Sequence, residues 1–67
     1  MSDKVLKFID ILISLGKEIK GVKLDYSRYI IILNGDENLN INNYIQEFKD
    51  FLPDIVFLKG NEIHIKI

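Results

Sequence analysis

The apolar residues of this chain change their period twice, and that switch limits the possible folds more than any other feature. They recur at helical spacing up to Ile19, then alternate or run β-branched from Val22 to Leu33. Helical spacing returns from Ile41 to Leu52, and a strand pattern returns from Ile55. A period of 3.6 marks a helix with one buried stripe, and a period of two marks a half-buried strand. The order is therefore helix, strand, strand, helix, strand, strand. Two amphipathic helices on one face of an antiparallel sheet bury these stripes together. The expected class is an α+β two-layer sandwich, with residues 1–67 forming a single small domain. If the stretch from Val22 to Tyr26 is loop instead, the order becomes αβαββ with three strands.

The order αββαββ resembles a ferredoxin-like plait with its first strand moved to the end. Asp3 is placed to cap the first helix, whose polar residues Asp3, Lys7, Asp10, Ser14, Lys17 and Glu18 form one narrow stripe. Val5, Leu6, Phe8, Ile9, Leu12, Ile13, Gly16 and Ile19 cover the broad opposite face, and Ile11 falls among the polar residues. Gly16 on that face allows close approach to a sheet, and Gly21 suits the residue that ends the helix. Asn40 caps the second helix, with Leu39 and Tyr44 spaced as a hydrophobic staple, and Pro53 stops it.

A two-residue turn at Gly60-Asn61 pairs Leu58 with Ile63, Phe57 with His64 and Val56 with Ile65. Val56, Leu58, Ile63, Ile65 and Ile67 then point at the helices, and Ile55, Phe57, His64 and Lys66 point away. In the first hairpin, with its turn near Ser27-Arg28, Ile30 and Ile32 point away alongside Lys23 and Asp25. A solvated sheet face is usually polar at every second position, so Ile30, Ile32, Ile55 and Phe57, with His64 beside them, are the candidate protein interface. The C-terminal strand offers a second route, because only Glu62 and Lys66 guard its edge against strand addition. At 67 residues without cysteine the chain has no disulfide to supplement a small core, which favours a second protein surface as the missing support. A homodimer or another protein is the expected partner.

Few residues offer chemistry. His64 is the only histidine, there is no cysteine, and Ser2, Ser14 and Ser27 lack a nucleophile's context, so the chain is read as non-enzymatic, with no catalytic residue. His64 reads as a strand histidine packed on Phe57. Asp36, Asn38, Asn40, Asn42 and Glu47 occupy positions 1, 3, 5, 7 and 12 of a calcium loop. Ile41 stands where that loop needs glycine, so capping asparagines account for them better. No metal, cofactor or small-molecule substrate is inferred.

Nucleic acid is the alternative partner. Lys17, Lys20, Lys23 and Arg28 gather around the end of the first helix and the start of the sheet, with Tyr26 and Tyr29 nearby. Glu18 and Asp25 sit within that cluster, and the chain carries a net charge of −1. Residues 1–35 hold six basic and four acidic side chains and residues 36–67 three and six, a mild asymmetry. Phe51-Leu52-Pro53-Asp54-Ile55 and the hairpin after it resemble the region after the second helix in the Alba family of archaeal nucleic-acid-binding proteins. The likeness covers a handful of residues, and this chain lacks that family's first strand and basic character. The longest apolar run, Tyr29 to Leu33, is far short of a membrane span, and Met1-Ser2-Asp3-Lys4 leads into an amphipathic pattern and not a secretory leader. A cytoplasmic location is the default expectation.

Overall fold

Four antiparallel strands in the order β1-β2-β4-β3 form one sheet, and a helix and a broken helix pack on one of its faces. The computed structural model describes residues 2–35 and 38–66. Its elements run α1 (Asp3–Ser14), β1 (Ile19–Asp25), β2 (Arg28–Leu33), α2 (Ile45–Phe48), β3 (Ile55–Lys59) and β4 (Glu62–Lys66). The αββαββ order holds, and β1 is a full strand, so the three-stranded alternative falls. This sheet order is that of a ferredoxin-like sheet whose first strand has been moved to the end.

Helix α1 starts one residue earlier in its cap than its sequence suggests. Ser2, not Asp3, is the cap, its Oγ accepting the Val5 N–H at 3.3 Å, while Asp3 places its charge in the first turn. The helix also ends sooner. Gly16 takes φ +82, its N–H donates to Ile13 O at 2.9 Å, and the Lys17 N–H donates to Leu12 O at 3.0 Å. That is the paired-bond closure of a left-handed glycine cap. Gly16 therefore terminates the helix and does not line a helix–sheet contact. Gly21 lies in β1, and Ile19 opens that strand.

The buried face of α1 is rotated by roughly 50° from the face that the apolar count selects, at 100° per residue. Val5, Phe8 and Leu12 are fully buried, and Ile9, Ile11 and Leu15 pack beside them. Leu6 and Ile13 are exposed, at 47% and 58%. Ile11, the residue that looks out of place in the sequence, belongs to the core. The second helical region is broken: a 3-10 turn at Ile41–Tyr44, the single α-turn of α2, and a further 3-10 turn at Leu52–Asp54 that contains Pro53. Asn40 caps it as expected, its side-chain oxygen accepting the Asn42 N–H at 3.2 Å. Asn42 and Asn43 are weak helix formers, and Tyr44 leaves the helical region with φ −136.

Phe8 joins the two helical segments. Its ring lies 4.8 Å from that of Phe48 and meets Phe51 edge-on at 5.5 Å, and Phe48 meets Tyr44 at 6.5 Å. Beneath them Ile31, Leu33, Ile63 and Ile65 form the fully buried floor. Phe8→Ala should cost about 3–5 kcal/mol, against a total of about 3–10 kcal/mol for a domain of this length. Urea unfolding followed by circular dichroism should therefore show a midpoint lowered by a third or more.

Candidate functional site

The face of the sheet away from the helices carries the chemistry. Pairing fixes its rows: Lys23, Ile30, His64 and Phe57 stand across the four strands, with Ile32, Glu62 and Lys59 to one side and Asp25, Arg28 and Lys66 to the other. The second hairpin keeps the expected partners Leu58–Ile63 and Phe57–His64, but Ile65 faces Ile55 and not Val56. A bulge between Ile55 and Phe57 adds one residue to β3 and shifts its phase. Ile55 accordingly turns inward and packs against the core, which removes it from the candidate interface. Val56 takes its place on the outer side, 49% exposed, beside Phe57 at 43%. The uniformly apolar run 55–58 contains no polar residue to mark where the phase changes, so nothing in the pattern reveals the bulge.

Ile30 faces away from the helices and is nevertheless only 5% exposed. A polar chain runs beside it along β2 and β4. The Arg28 guanidinium donates through Nη1 to His64 Nδ1 at 3.2 Å, and His64 Nε2 lies 3.0 Å from Glu62 Oε1. A guanidinium can only donate, so Nδ1 is the acceptor and the imidazole proton sits on Nε2, donated to Glu62. Phe57 meets the imidazole edge-on at 4.7 Å. Both ring nitrogens are engaged and the ring is largely covered, so His64 is a structural hub of the outer face, not an exposed contact. Ile32 is half-buried. Of the five interface residues expected, Phe57 alone remains well exposed.

The expected edge is also displaced. Strand β4 lies between β2 and β3 and is paired on both sides, so it offers no edge. The edges are β1 and β3. Strand β1 carries Lys20, Lys23 and Asp25. Residues 55–58 of β3 carry no charge.

The four basic residues run from the end of α1 into the first hairpin. Lys17 lies in the connection after the helix, Lys20 and Lys23 lie in β1, and Arg28 starts β2 and reaches to His64. A different segregation appears. The strands hold five basic side chains, Lys20, Lys23, Arg28, Lys59 and Lys66, against the acidic Asp25 and Glu62. All are absent from the inward-facing rows. The strands thus carry +3, and the remaining residues, four basic and eight acidic, carry −4. The net charge of −1 conceals a polarised molecule.

Ser27, Arg28, Val56 and Lys66 line a shallow cleft of about 210 Å³ where the first hairpin turn meets β3. Tyr26 begins that turn, exposed at 97% and with φ 55. Among the described residues no three of His, Asp and Glu come together as a metal site, and no helix is long and apolar enough to cross a membrane. Asp36, first of the calcium-loop positions, and Ile67 lie outside the described residues.

No family model, curated protein or solved structure matches this chain. Its own geometry therefore carries the functional reading. The accessible surface, 4404 Å², is close to the roughly 4,400 Å² that size scaling gives a folded protein of 7.8 kDa. The chain is as compact as folded proteins of its mass usually are, so the exposure of Val56 and Phe57 does not come from loose folding.

A non-glycine residue in the left-handed region stores about 1–2 kcal/mol. Tyr26→Asn should release part of it and raise stability by about 1 kcal/mol, measured as a higher urea midpoint at unchanged slope. A lower midpoint would show that the Tyr26 ring makes a stabilising contact.

Proposed function

We propose that this chain is a non-enzymatic interaction module that pairs with a second copy of itself along β3. The reading rests on one observation: β3 is an edge strand with no charged residue from Ile55 to Leu58, and Val56 and Phe57 on it remain about half exposed. Edge strands are normally guarded by charge or covered, as β1 is by its lysines. A two-fold antiparallel pairing centred between Val56 and Phe57 sets each of these opposite the other, and sets Ile55 opposite Leu58. Directly opposed residues share a face, and the bulge satisfies that rule by placing Ile55 and Leu58 inside and Val56 and Phe57 outside. At the ends of this register Asp54 meets Lys59, a pairing of opposite charge. The contact is small beside the roughly 1,200–2,000 Å² of a standard interface, so the dimer is weak and concentration-dependent.

Sedimentation equilibrium from micromolar to millimolar concentration should show a rise from monomer to dimer mass, and Phe57→Lys should hold the chain at monomer mass throughout. A wild-type chain that stays monomeric at millimolar concentration overturns the proposal.

The charge segregation supports a second reading, in which the outer sheet face takes up nucleic acid. This reading differs from an end-of-helix cluster in placing Lys20, Lys23, Arg28, Lys59 and Lys66 on one sheet. It predicts binding of single-stranded oligonucleotide at low salt, with a steep salt dependence of about −0.7 in log–log slope for each phosphate neutralised. Lys23→Glu should weaken that binding. Fluorescence anisotropy at several salt concentrations measures both effects.

A further inference from the structure

Arg28 and Lys66 are direct cross-strand partners on β2 and β4, an arrangement of like charges that destabilises a sheet unless something lies between them. Among the described residues Lys4 forms an ion pair with Asp54, and neither Arg28 nor Lys66 forms one. Asp25, across from Arg28 on β1, forms no ion pair with it. Both residues line the same cleft, together with Ser27 and Val56.

We propose that this cleft is a seat for one phosphate group. Its donors match a tetrahedral oxyanion. Arg28 has five N–H donors in a planar fork, of which Nη1 is held by His64 Nδ1, and that bond, backed by His64 Nε2 to Glu62, fixes the direction of the fork. Lys66 supplies a second positive charge from the opposite strand, and Ser27 is a third donor-bearing residue that lines the cleft. Three donor-bearing residues suit an anion with three or more oxygens better than a carboxylate with two. Two cations match the charge of a phosphate monoester near neutral pH. The cleft, at about 210 Å³, is smaller than the roughly 300–1,000 Å³ of sites that enclose whole small molecules, so it holds the group and leaves the rest of the ligand outside. Val56 keeps water from one side and strengthens the charge interactions beside it. The wider positive face draws anions toward the seat. The seat does not depend on pairing through β3, nor on uptake of nucleic acid by the whole face.

Titration of the isotopically labelled full chain with inorganic phosphate, followed by two-dimensional amide NMR, tests the proposal. Saturable shifts are expected at Ser27, Arg28 and Lys66 with a single millimolar dissociation constant, and none of them with chloride at matched ionic strength. Lys66→Gln, an exposed change that leaves the Arg28–His64 bond in place, should weaken binding at least fivefold, and Arg28→Gln more. Lys7→Gln, which removes the same charge from α1, should leave the constant unchanged. Shifts that never saturate, equal shifts with chloride, or an equal loss in Lys7→Gln would overturn the seat in favour of diffuse electrostatics. A thymidine oligonucleotide that displaces the inorganic phosphate identifies a phosphodiester backbone as the source, and failure to displace it identifies a free phosphate monoester. Either result supports the seat. Sedimentation of Lys66→Gln separates the seat from self-association, since dimer formation through β3 should persist in that variant.

Discussion

The contact of Phe8 with Phe48 and Phe51 sets the terms for the rest of the molecule. A four-stranded sheet needs its whole inner face covered, and among the described residues α1 is the one helix longer than a single turn with which to do it. The second helical region is too broken by Asn42, Asn43 and Tyr44 to bury a continuous stripe, so it contributes single aromatic anchors. Phe8 reaches those anchors from α1, which requires the helix to turn its Val5–Phe8–Leu12 line toward them. That rotation brings Ile11 into the core and leaves Leu6 and Ile13 in solvent. The Gly16 cap follows from the same geometry. The chain must leave the helix near Leu15 to place Ile19 opposite Leu33 at the far side of the sheet.

Period and turn chemistry were enough to read the element order from the sequence. The switch at Val22, the cap at Asn40 and the Gly60-Asn61 turn each lead to an element or turn that forms. Phase was harder to read. Six or more apolar residues are distributed around α1 with nothing in their spacing to say which edge of the stripe faces a partner, and the decision belongs to aromatic rings some forty residues away. In β3 the run Ile55-Val56-Phe57-Leu58 is apolar at every position, so it is compatible with either phase. The alternation of Ile63, His64 and Ile65 fixes β4 without ambiguity, and the bulge shows only when the two strands are laid together. The first hairpin turn, expected near Ser27-Arg28, forms one residue earlier at Tyr26-Ser27, because it uses a left-handed tyrosine where asparagine or glycine is the usual signal.

The outer face shows how a small sheet handles apolar residues that point away from its helices. Ile30 sits at its centre, between Lys23 and His64, and is only 5% exposed. Arg28, His64 and Glu62 are tied in sequence, and Phe57 closes one side of the imidazole. The same residue types that suggest an exposed contact surface in the sequence are thereby spent on holding that surface together. The apolar residues left over are confined to the β3 margin. The basic residues, excluded from the inner rows by the cost of burying charge, collect on this face because it is the only one open to them.

Both proposed features depend on one extra residue in β3. Without the bulge, Val56 would follow the pairing with Ile65 into the core and Ile55 would stand outside, away from the register that matches faces across a two-fold axis. The cleft beside Arg28 and Lys66 would lose its apolar wall at the same time, since Val56 is the only β3 residue that lines it. The bulge also leaves Val56 and Phe57, consecutive in sequence, on the same side of the strand, which a regular strand forbids. A local irregularity that no sequence period encodes therefore determines which apolar side chains β3 presents on the outer face, and it places Val56 next to the like-charged pair Arg28 and Lys66.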